Sequence, residues 1–549
     1  MHLVLTDYRD LSPAERVMRL FTRVRPGEGR SVLLFSANSF LLLFAYYVAK
    51  ALREAFLLSQ FSAQVRAYVL AAIALLLIFV VPAYGVVRRR LDGARLLRAV
   101  ILFFAATTVM FTIAAWAGVR IGIVFFIWVS IFGVMVPAQF WAFAADTFNL
   151  KSGQRLFPLL MLGGNLGALA GAKSAQLLAA ALKPQGVMLV ATAALLLTVP
   201  LSGPAAAAAP EGSRVPSEKQ ERRPQPRLLG GIGLVLRDRY LLLVAALVVL
   251  LNWINSTGEF ILADVVSRHA QAQVASSAVP LETSALIAGF YGDFHFWVTL
   301  AGLLIQLLLV SRIYRWVGLS GALLVLPLLA ALGYGLVVFV PIFSMIRLVK
   351  IAENSVDYSL MNTTRQALFL PVSREAKYEG KTAIDTFFWR FGDLLQAGVV
   401  YAGLNWLRWS ASQFAMLNLA LALVWLGLAV AIGRKFKQLA RENMANRAPE
   451  PARPIGDLMY EPGLPFHHVV GTECFVDEDP GDVLRLQAKL ADGNPLPQWL
   501  RFDVRHRAFN GVVPAHVSEE LTVMVVASDV DGMEASSCFT IRRLTRFGA

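Results

Sequence analysis

Twelve stretches of this chain are long and apolar enough to cross a hydrocarbon layer of about 30 Å. Their approximate limits are 31–58, 67–87, 96–117, 120–147, 156–182, 185–203, 240–265, 283–310, 317–340, 343–370, 380–404 and 410–433. Within a bilayer each has to satisfy its own backbone hydrogen bonds, as a helix does. Composition agrees: 57% of the 549 residues are hydrophobic, 16% are charged and the mean hydropathy is +0.58, too apolar for a soluble protein of this length. The expectation is an all-α polytopic membrane protein with twelve transmembrane helices and the lipid bilayer as its surroundings.

The formal charge of +14 would suit a nucleic-acid binder, but its location argues against one. Residues 455–549 hold 8 Lys/Arg and 14 Asp/Glu, a net of −6, which leaves +20 on everything before them. Those cations flank apolar spans, as the positive-inside rule requires. Arg88, Arg89, Arg90, Arg95, Arg98, Lys151, Arg155, Arg312, Arg315, Arg374, Lys377 and Lys381 lie on one set of connections, and Arg434, Lys435 and Lys437 follow the last span. The opposite connections offer mainly Arg66, Arg120, Lys183, Arg268 and Arg408. Both termini are therefore expected to be cytoplasmic, the protein sitting in a cell inner membrane. Residues 1–30 contain no apolar signal-peptide core. Ser12-Pro13-Ala14-Glu15 reads as a capping box opening a short interfacial or solvated helix.

Residues 204–239, rich in Pro, Ala and charge, form a linker between two sets of six spans, 31–203 and 240–434. Six plus six around a cytoplasmic linker is the major-facilitator layout, in which sites lie near the midplane between the halves. The polar residues follow that geometry. Span one carries Lys50, Arg53 and Glu54, span four ends in Asp146, and span seven carries Asn252, Asn255, Glu259 and Asp264. Span ten carries Arg347, Lys350, Glu353, Asn354 and Asp357, within about one third of a helix circumference at 100° per residue. A charge at bilayer depth costs at least about 2.5–3.5 kcal/mol, so this face must look into a bundle interior or an aqueous cavity. An ion-pair network that merely holds helices together is the competing reading for each single residue. Gly163, Gly167 and Gly171 in span five form a small-residue packing surface. Gly380-Lys381-Thr382 lacks the earlier glycine of a phosphate loop, Glu375 standing there, so no ATPase is indicated.

YYVAKALREAFLLS in span one, QFWAFAADTFNLKSGQRLFPLLMLGGNLGALAG across spans four and five, and DYSLMNTTRQALFLPVSREAKYEGKTAIDTFFWRFGD across ten and eleven resemble the ATP/ADP translocases of intracellular bacteria and plastids. The resemblance covers about residues 31–434 and implies nucleotide exchange without hydrolysis by a protein that is not an enzyme. It makes Arg53 similar to the family's first-helix lysine, Glu259 to its seventh-helix acid, and Arg365 to the basic residue before the tenth-helix exit. Lys381 and Asp385 match the GKxAID element. Asp357, Ser152 and Gln366 depart from the family's usual residues, so another anionic nucleotide or metabolite stays open. The candidate substrate-binding residues are Lys50, Arg53, Glu259, Arg347, Lys350, Asp357, Arg365, Lys381 and Asp385. The five cations from Lys50 to Arg365 are expected to converge on one cavity, because a nucleotide's phosphates want charge-assisted bonds at low dielectric. Tyr46, Tyr47, Tyr358, Phe388 and Trp389 are candidates for stacking on the base, plain packing being the alternative. Lys50/Glu54 and Arg390/Asp393 have the spacing of helical ion pairs.

A second linker, 435–454, leads to residues 455–545, where short alternating runs and the Asp492-Gly493 and Asp531-Gly532 turns indicate a small all-β, immunoglobulin-like sandwich. PLPQWLRFD followed by FNG resembles the cadherin-like domains of dystroglycan type. Asp477, Asp479 and Asp482 are candidates for calcium, with turn capping as the competing reading, and no other cofactor is expected. In a reducing cytoplasm the two cysteines, Cys474 and Cys538, are expected to be free thiols. Three functions remain compatible: a nucleotide exchanger; a transporter of another organic anion coupled to protons through Asp146, Glu259 or Asp293 with His295; and a transporter-derived sensor or scaffold whose sandwich binds a protein partner.

Overall fold

The computed structural model describes residues 12–19, 22, 24–88, 93–208, 210, 228–277, 280–340, 342–373, 376–444, 448–477, 483–514, 520–529 and 532–543. Arg89, Arg90, Arg374, the calcium candidates Asp479 and Asp482, the turn residue Asp531 and most of the first linker lie outside the described residues. The chain divides into two compact units, Met1–Lys437 and Gln438–Ala549.

The first unit is helical: α1 (Pro13–Met18), α2 (Gly29–Gln60), α3 (Ala63–Arg88), α4 (Gly93–Trp116), α5 (Gly122–Thr147), α6 (Leu150–Ala207), α7 (Leu228–Arg237), α8 (Arg239–Ser276), α9 (Thr283–Leu308), α10 (Val310–Phe339), α11 (Phe343–Val356), α12 (Asn362–Ala367), α13 (Lys381–Ala383), α14 (Trp389–Asn405) and α15 (Ala411–Met444). Among the described residues, seven helical stretches are long and apolar enough to cross a membrane. One of them, Arg155–Ala205, holds two of the expected spans, joined at a kink where Lys183 has φ 55° just before Pro184. Spans 67–87, 283–310, 343–370 and 380–404 lie on α3, α9, α11–α12 and α13–α14.

The irregular backbone is concentrated in the tenth and eleventh spans, where π-helical turns occupy Asp357–Met361, Ala376–Gly380 and Ile384–Phe388. Such turns re-aim side chains within a helix and are enriched at functional sites. The linker expected over 204–239 is shorter than that: α6 runs to Ala207, and Leu228–Arg237 forms α7, where a Cβ on Gly231 would overlap the carbonyl of Glu379.

The capping box forms. Glu15 accepts hydrogen bonds from the Ser12 backbone N–H at 2.8 Å and hydroxyl at 2.9 Å, and the Ser12 hydroxyl accepts from the Glu15 N–H at 3.3 Å. The other Glu15 oxygen accepts from the N–H groups of Gly27 and Gly29, tying α1 to the start of α2. Further along α2, a methyl group on Gly163, Gly167 or Gly171 of α6 would overlap the carbonyl of Ser36, Phe40 or Phe44. Three glycines four residues apart thus let two long helices touch along their backbones. Leu102, Phe103, Met110 and Ile113 of α4 point outward, as a lipid-facing surface requires.

The second unit is all β. Its strands are β1 (Glu450–Pro451), β2 (Leu458–Tyr460), β3 (Pro465–Val469), β4 (Phe475–Val476), β5 (Arg485–Leu490), β6 (Leu500–Asp503), β7 (Ala508–Val512), β8 (Leu521–Ser528) and β9 (Glu534–Arg543). They form sheets ordered β2-β9-β8-β5, β3-β7-β6 and β1-β4, antiparallel except for β2 with β9. Alternation puts Val523, Val525, Ala527, Phe539 and Ile541 into a core shared with Phe509, Leu486 and Leu500. Cys474, in the bend before β4, is buried, Cys538 on β9 is exposed, and both thiols are free.

Candidate functional site

The helices α2, α3, α8 and α11 bring a charge network into the first unit. From α2 come Lys50, Arg53 and Glu54, from the first turn of α3 comes Arg66, from α8 come Asn255 and Glu259, and from α11 come Lys350, Glu353 and Asn354. Arg66 is the hub. Its guanidinium donates to both Glu54 oxygens, at 2.9 and 3.3 Å, and lies 3.5 Å from Glu259 across the two halves. Glu259 also accepts from Asn354 at 2.8 Å and stands 3.6 Å from Lys350. Lys350 is 1% exposed and donates to Asn255 Oδ1 at 2.8 Å and to Glu353 at 3.0 Å. Glu353 accepts in addition from the Tyr334 hydroxyl at 2.8 Å. Gly258 makes room for this knot, since a methyl group there would meet both the Tyr334 hydroxyl and the Lys350 ammonium.

Arg53 pairs through its Nε with Glu54 at 3.4 Å, donates to Ser130 at 3.3 Å and sits over the Phe126 ring. Lys50 differs. Among the described residues its ammonium has no hydrogen-bond acceptor and no carboxylate within ion-pair distance, Glu259 and Glu54 acting on it only from farther off; it hangs between the rings of Tyr47, at 5.2 Å, and Tyr358, at 5.5 Å. The expected Lys50/Glu54 pair does not form, because Arg66 and Arg53 take both Glu54 oxygens. Lys50, Arg53, Arg66 and Lys350 thus stand against Glu54, Glu259 and Glu353, and the cation left over is the one held by two aromatic faces.

The five cations expected in one cavity do not meet at one point. Arg347 turns away from Lys350 to pair with Asp293 of α9 beside Phe290. Arg365 lies fifteen residues beyond Lys350, about 22 Å along a helix; it sits over Trp389 at 4.7 Å and 3.9 Å from Asp385, which Lys381 holds at 2.9 Å. Helical rise separates what a face count on the helical wheel had grouped. Asp357 is buried one turn below Glu353, at the start of the first π turn. Arg390 pairs with Asp393 at 3.2 Å, which also accepts from Asn252 and Ser256. Of the stacking candidates, Tyr47 and Tyr358 flank Lys50, whereas Tyr46 packs on Phe132 and Phe388 on Phe387. Asp293 and His295 do not act as a couple: two residues apart on a helix they point about 200° apart.

Arg66 is the residue that sequence reasoning missed. It borders span two and was counted with the extramembrane connections, yet it is only 4% exposed. The two carboxylates buried within reach of it, Glu54 and Glu259, were the available signal. Among the described residues no cluster of three or more His, Cys, Asp or Glu could hold a metal ion.

Residues 210–436 match the TLC ATP/ADP transporter family model, and residues 449–543 match the He_PIG immunoglobulin-type domain model. Over those helical residues the chain is similar to the TLC ATP/ADP transporters. The ADP,ATP carrier protein 1 of Chlamydia trachomatis serovar D is 24% identical over 359 residues, covering 57% of this chain and 65% of the carrier. The ADP,ATP carrier protein 1 of Chlamydia muridarum is 24% identical over 55% of this chain and 63% of its own length. The chain thus spans just under two thirds of these curated relatives. Among solved structures, the nucleoside transporter NupG superposes with a TM-score of 0.52 at 13% identity, over 75% of this chain and 99% of that one. An auto-inhibited POT family peptide transporter superposes with a TM-score of 0.51 at 12% identity, over 75% and 97%. At these identities the superpositions show a shared fold.

Proposed function

We propose that this TLC-type protein transports an anionic nucleotide across a cell inner membrane, by ATP/ADP-type exchange without hydrolysis, with both termini in the cytoplasm. The observation that carries the reading is Lys50: a cation inside the bundle, between the halves, flanked by two tyrosine rings and with no carboxylate within ion-pair distance. A phosphate group would supply the missing anion and a base the missing stacking partner. The kinship with the TLC ATP/ADP transporters and with the chlamydial carriers supports the choice of nucleotide over other anions.

Alternating access is supported by how the halves touch. Arg66 with Glu259, Lys183 with Glu282, Ser267 with the Leu58 carbonyl, and Tyr68 with Tyr401 all join them at the end where α2 finishes and α9 begins. That end is closed, which suits a carrier whose site opens toward the linker side. The cycle needs no cofactor, since exchange of one anion for another restores the charge balance at Lys50.

Proteoliposomes loaded with ADP test the reading. Labelled ATP should enter only against internal nucleotide, and Lys50→Ala should abolish entry while leaving the protein folded. Uptake of another anion driven by a pH gradient, with no response to nucleotide, would overturn it, as would saturable nucleotide binding without flux.

A further inference from the structure

Opposite Lys50, α9 presents a second set of polar groups that the charge network does not use. Tyr291, His295 and Thr299 are four residues apart, so each step turns the helix by about 40° and the three share one face over about 12 Å. Tyr291 is 0% and His295 6% exposed. The Tyr291 hydroxyl and His295 Nε2 are buried and neither makes a hydrogen bond within the protein, and the buried Thr299 hydroxyl lies beside that of Tyr47. Buried polar groups are nearly always paired, so two orphans in register on one face need a reason.

The face lies on the seam between the halves. His295 meets the ring of Tyr47 at 6.2 Å and that of Tyr291 at 5.9 Å, and the Lys50 ammonium sits 5.2 Å from the same Tyr47 ring. One turn of α2 further on stands Arg53, whose Nε pairs with Glu54 at 3.4 Å. Beside the stripe, α9 fits against α6 so closely that a methyl group on Gly292 would meet the Gln176 and Ala172 backbone. Parting of the halves would uncover the stripe together with Lys50. The groups are two hydroxyls and an imidazole, which, unlike Lys and Arg, can accept as well as donate and so match the hydroxyls of an uncharged part of a ligand.

We propose that Tyr291, His295 and Thr299 form the subsite that hydrogen-bonds the sugar hydroxyls of the nucleotide while Lys50 and Arg53 hold its phosphates. This rests on the nucleotide reading above and extends it to an element outside the charge network. Lys50 fixes the anionic end of the ligand beside Tyr47, and the His295 imidazole meets that same ring edge-on, so the uncharged part of the same ligand falls along α9.

The test is equilibrium binding of ATP, 2′,3′-dideoxy-ATP and inorganic triphosphate to the purified full chain and to His295→Phe and Thr299→Val. Each variant removes a hydrogen-bonding group while keeping the volume close, and retained triphosphate binding reports that the site is folded. Wild type should prefer ATP to its dideoxy analogue, and each variant should weaken ATP by about tenfold, the value of one hydrogen bond, with the other two ligands unchanged. Equal weakening of all three ligands, equal weakening of ATP and dideoxy-ATP, or no change in either variant would overturn the subsite alone. Wild-type protein that bound no nucleotide would instead overturn the nucleotide reading, and the subsite with it.

Discussion

Lys50 and Lys350 are both lysines inside the bundle, and the structure gives them opposite expectations. Lys350 is the shared donor to Glu353 and Asn255 and lies beside Glu259, so Lys350→Ala leaves Glu353 buried with only a tyrosine. Removing one partner of a buried pair costs about 3–5 kcal/mol, and thermal unfolding in detergent should show that loss. Lys50→Ala strands no carboxylate and should change stability by less than about 1 kcal/mol, its effect appearing in transport. Glu15 offers a pH test outside the membrane. Burial pushes its carboxyl up, but the hydrogen bonds from Ser12, Gly29 and Gly27 outweigh that and hold it below its ordinary value of 4.5. A depressed folded value means that the carboxylate's stabilisation is complete above pH 4.5 and is lost as the pH falls through the lower folded value. Exchange of the Gly27 and Gly29 amides should therefore accelerate only below that point, and Glu15→Gln should remove the pH dependence.

Among the elements, the α2–α6 pair depends most directly on its sequence. Its glycines let the backbones approach, and Gly167→Leu would drive a side chain into the Phe40 carbonyl. Overpacking typically costs about 1–3 kcal/mol, and here neither backbone can give way without moving a whole helix. A lowered melting temperature with unchanged helical content is the expected outcome; an unaltered one would mean that the two helices separate at little cost. In the β unit, Phe509 is fully buried against Phe502 at 4.5 Å and Phe539 at 5.1 Å. Phe509→Ala should destabilise that unit by about 3–5 kcal/mol, seen in the full chain as faster proteolysis confined to residues beyond α15.

For the molecule as a carrier, the closed end is the testable feature. Lys183 at the kink of α6 pairs with Glu282 at the start of α9, linking the two halves. Cysteines placed at 183 and 282 and joined by a short thiol-specific cross-linker should hold that end shut. Exchange should stop, and a reducible linker should restore it on cleavage. Full exchange in the linked protein would show that the halves do not part there.

The spans, the two-half layout and the β character of the C-terminal region were legible in the sequence, because apolar length, charge asymmetry and alternation are local properties that a bilayer or a sheet reads directly. So were the Ser12–Glu15 box and the glycine seam of α6, whose spacing is the mechanism. Which charges meet was not legible. Helical periodicity placed Arg347, Lys350, Glu353, Asn354 and Asp357 on one face, but it contains neither the rise that carries Arg365 to another level nor the neighbour that draws Arg347 to Asp293. Nor could it show that Arg66 would occupy Glu54 and leave Lys50 unpaired, or that the orphaned groups of α9 would come to lie opposite it. Those pairings join residues from different helices at contact distance, and only the packing of the bundle sets such distances.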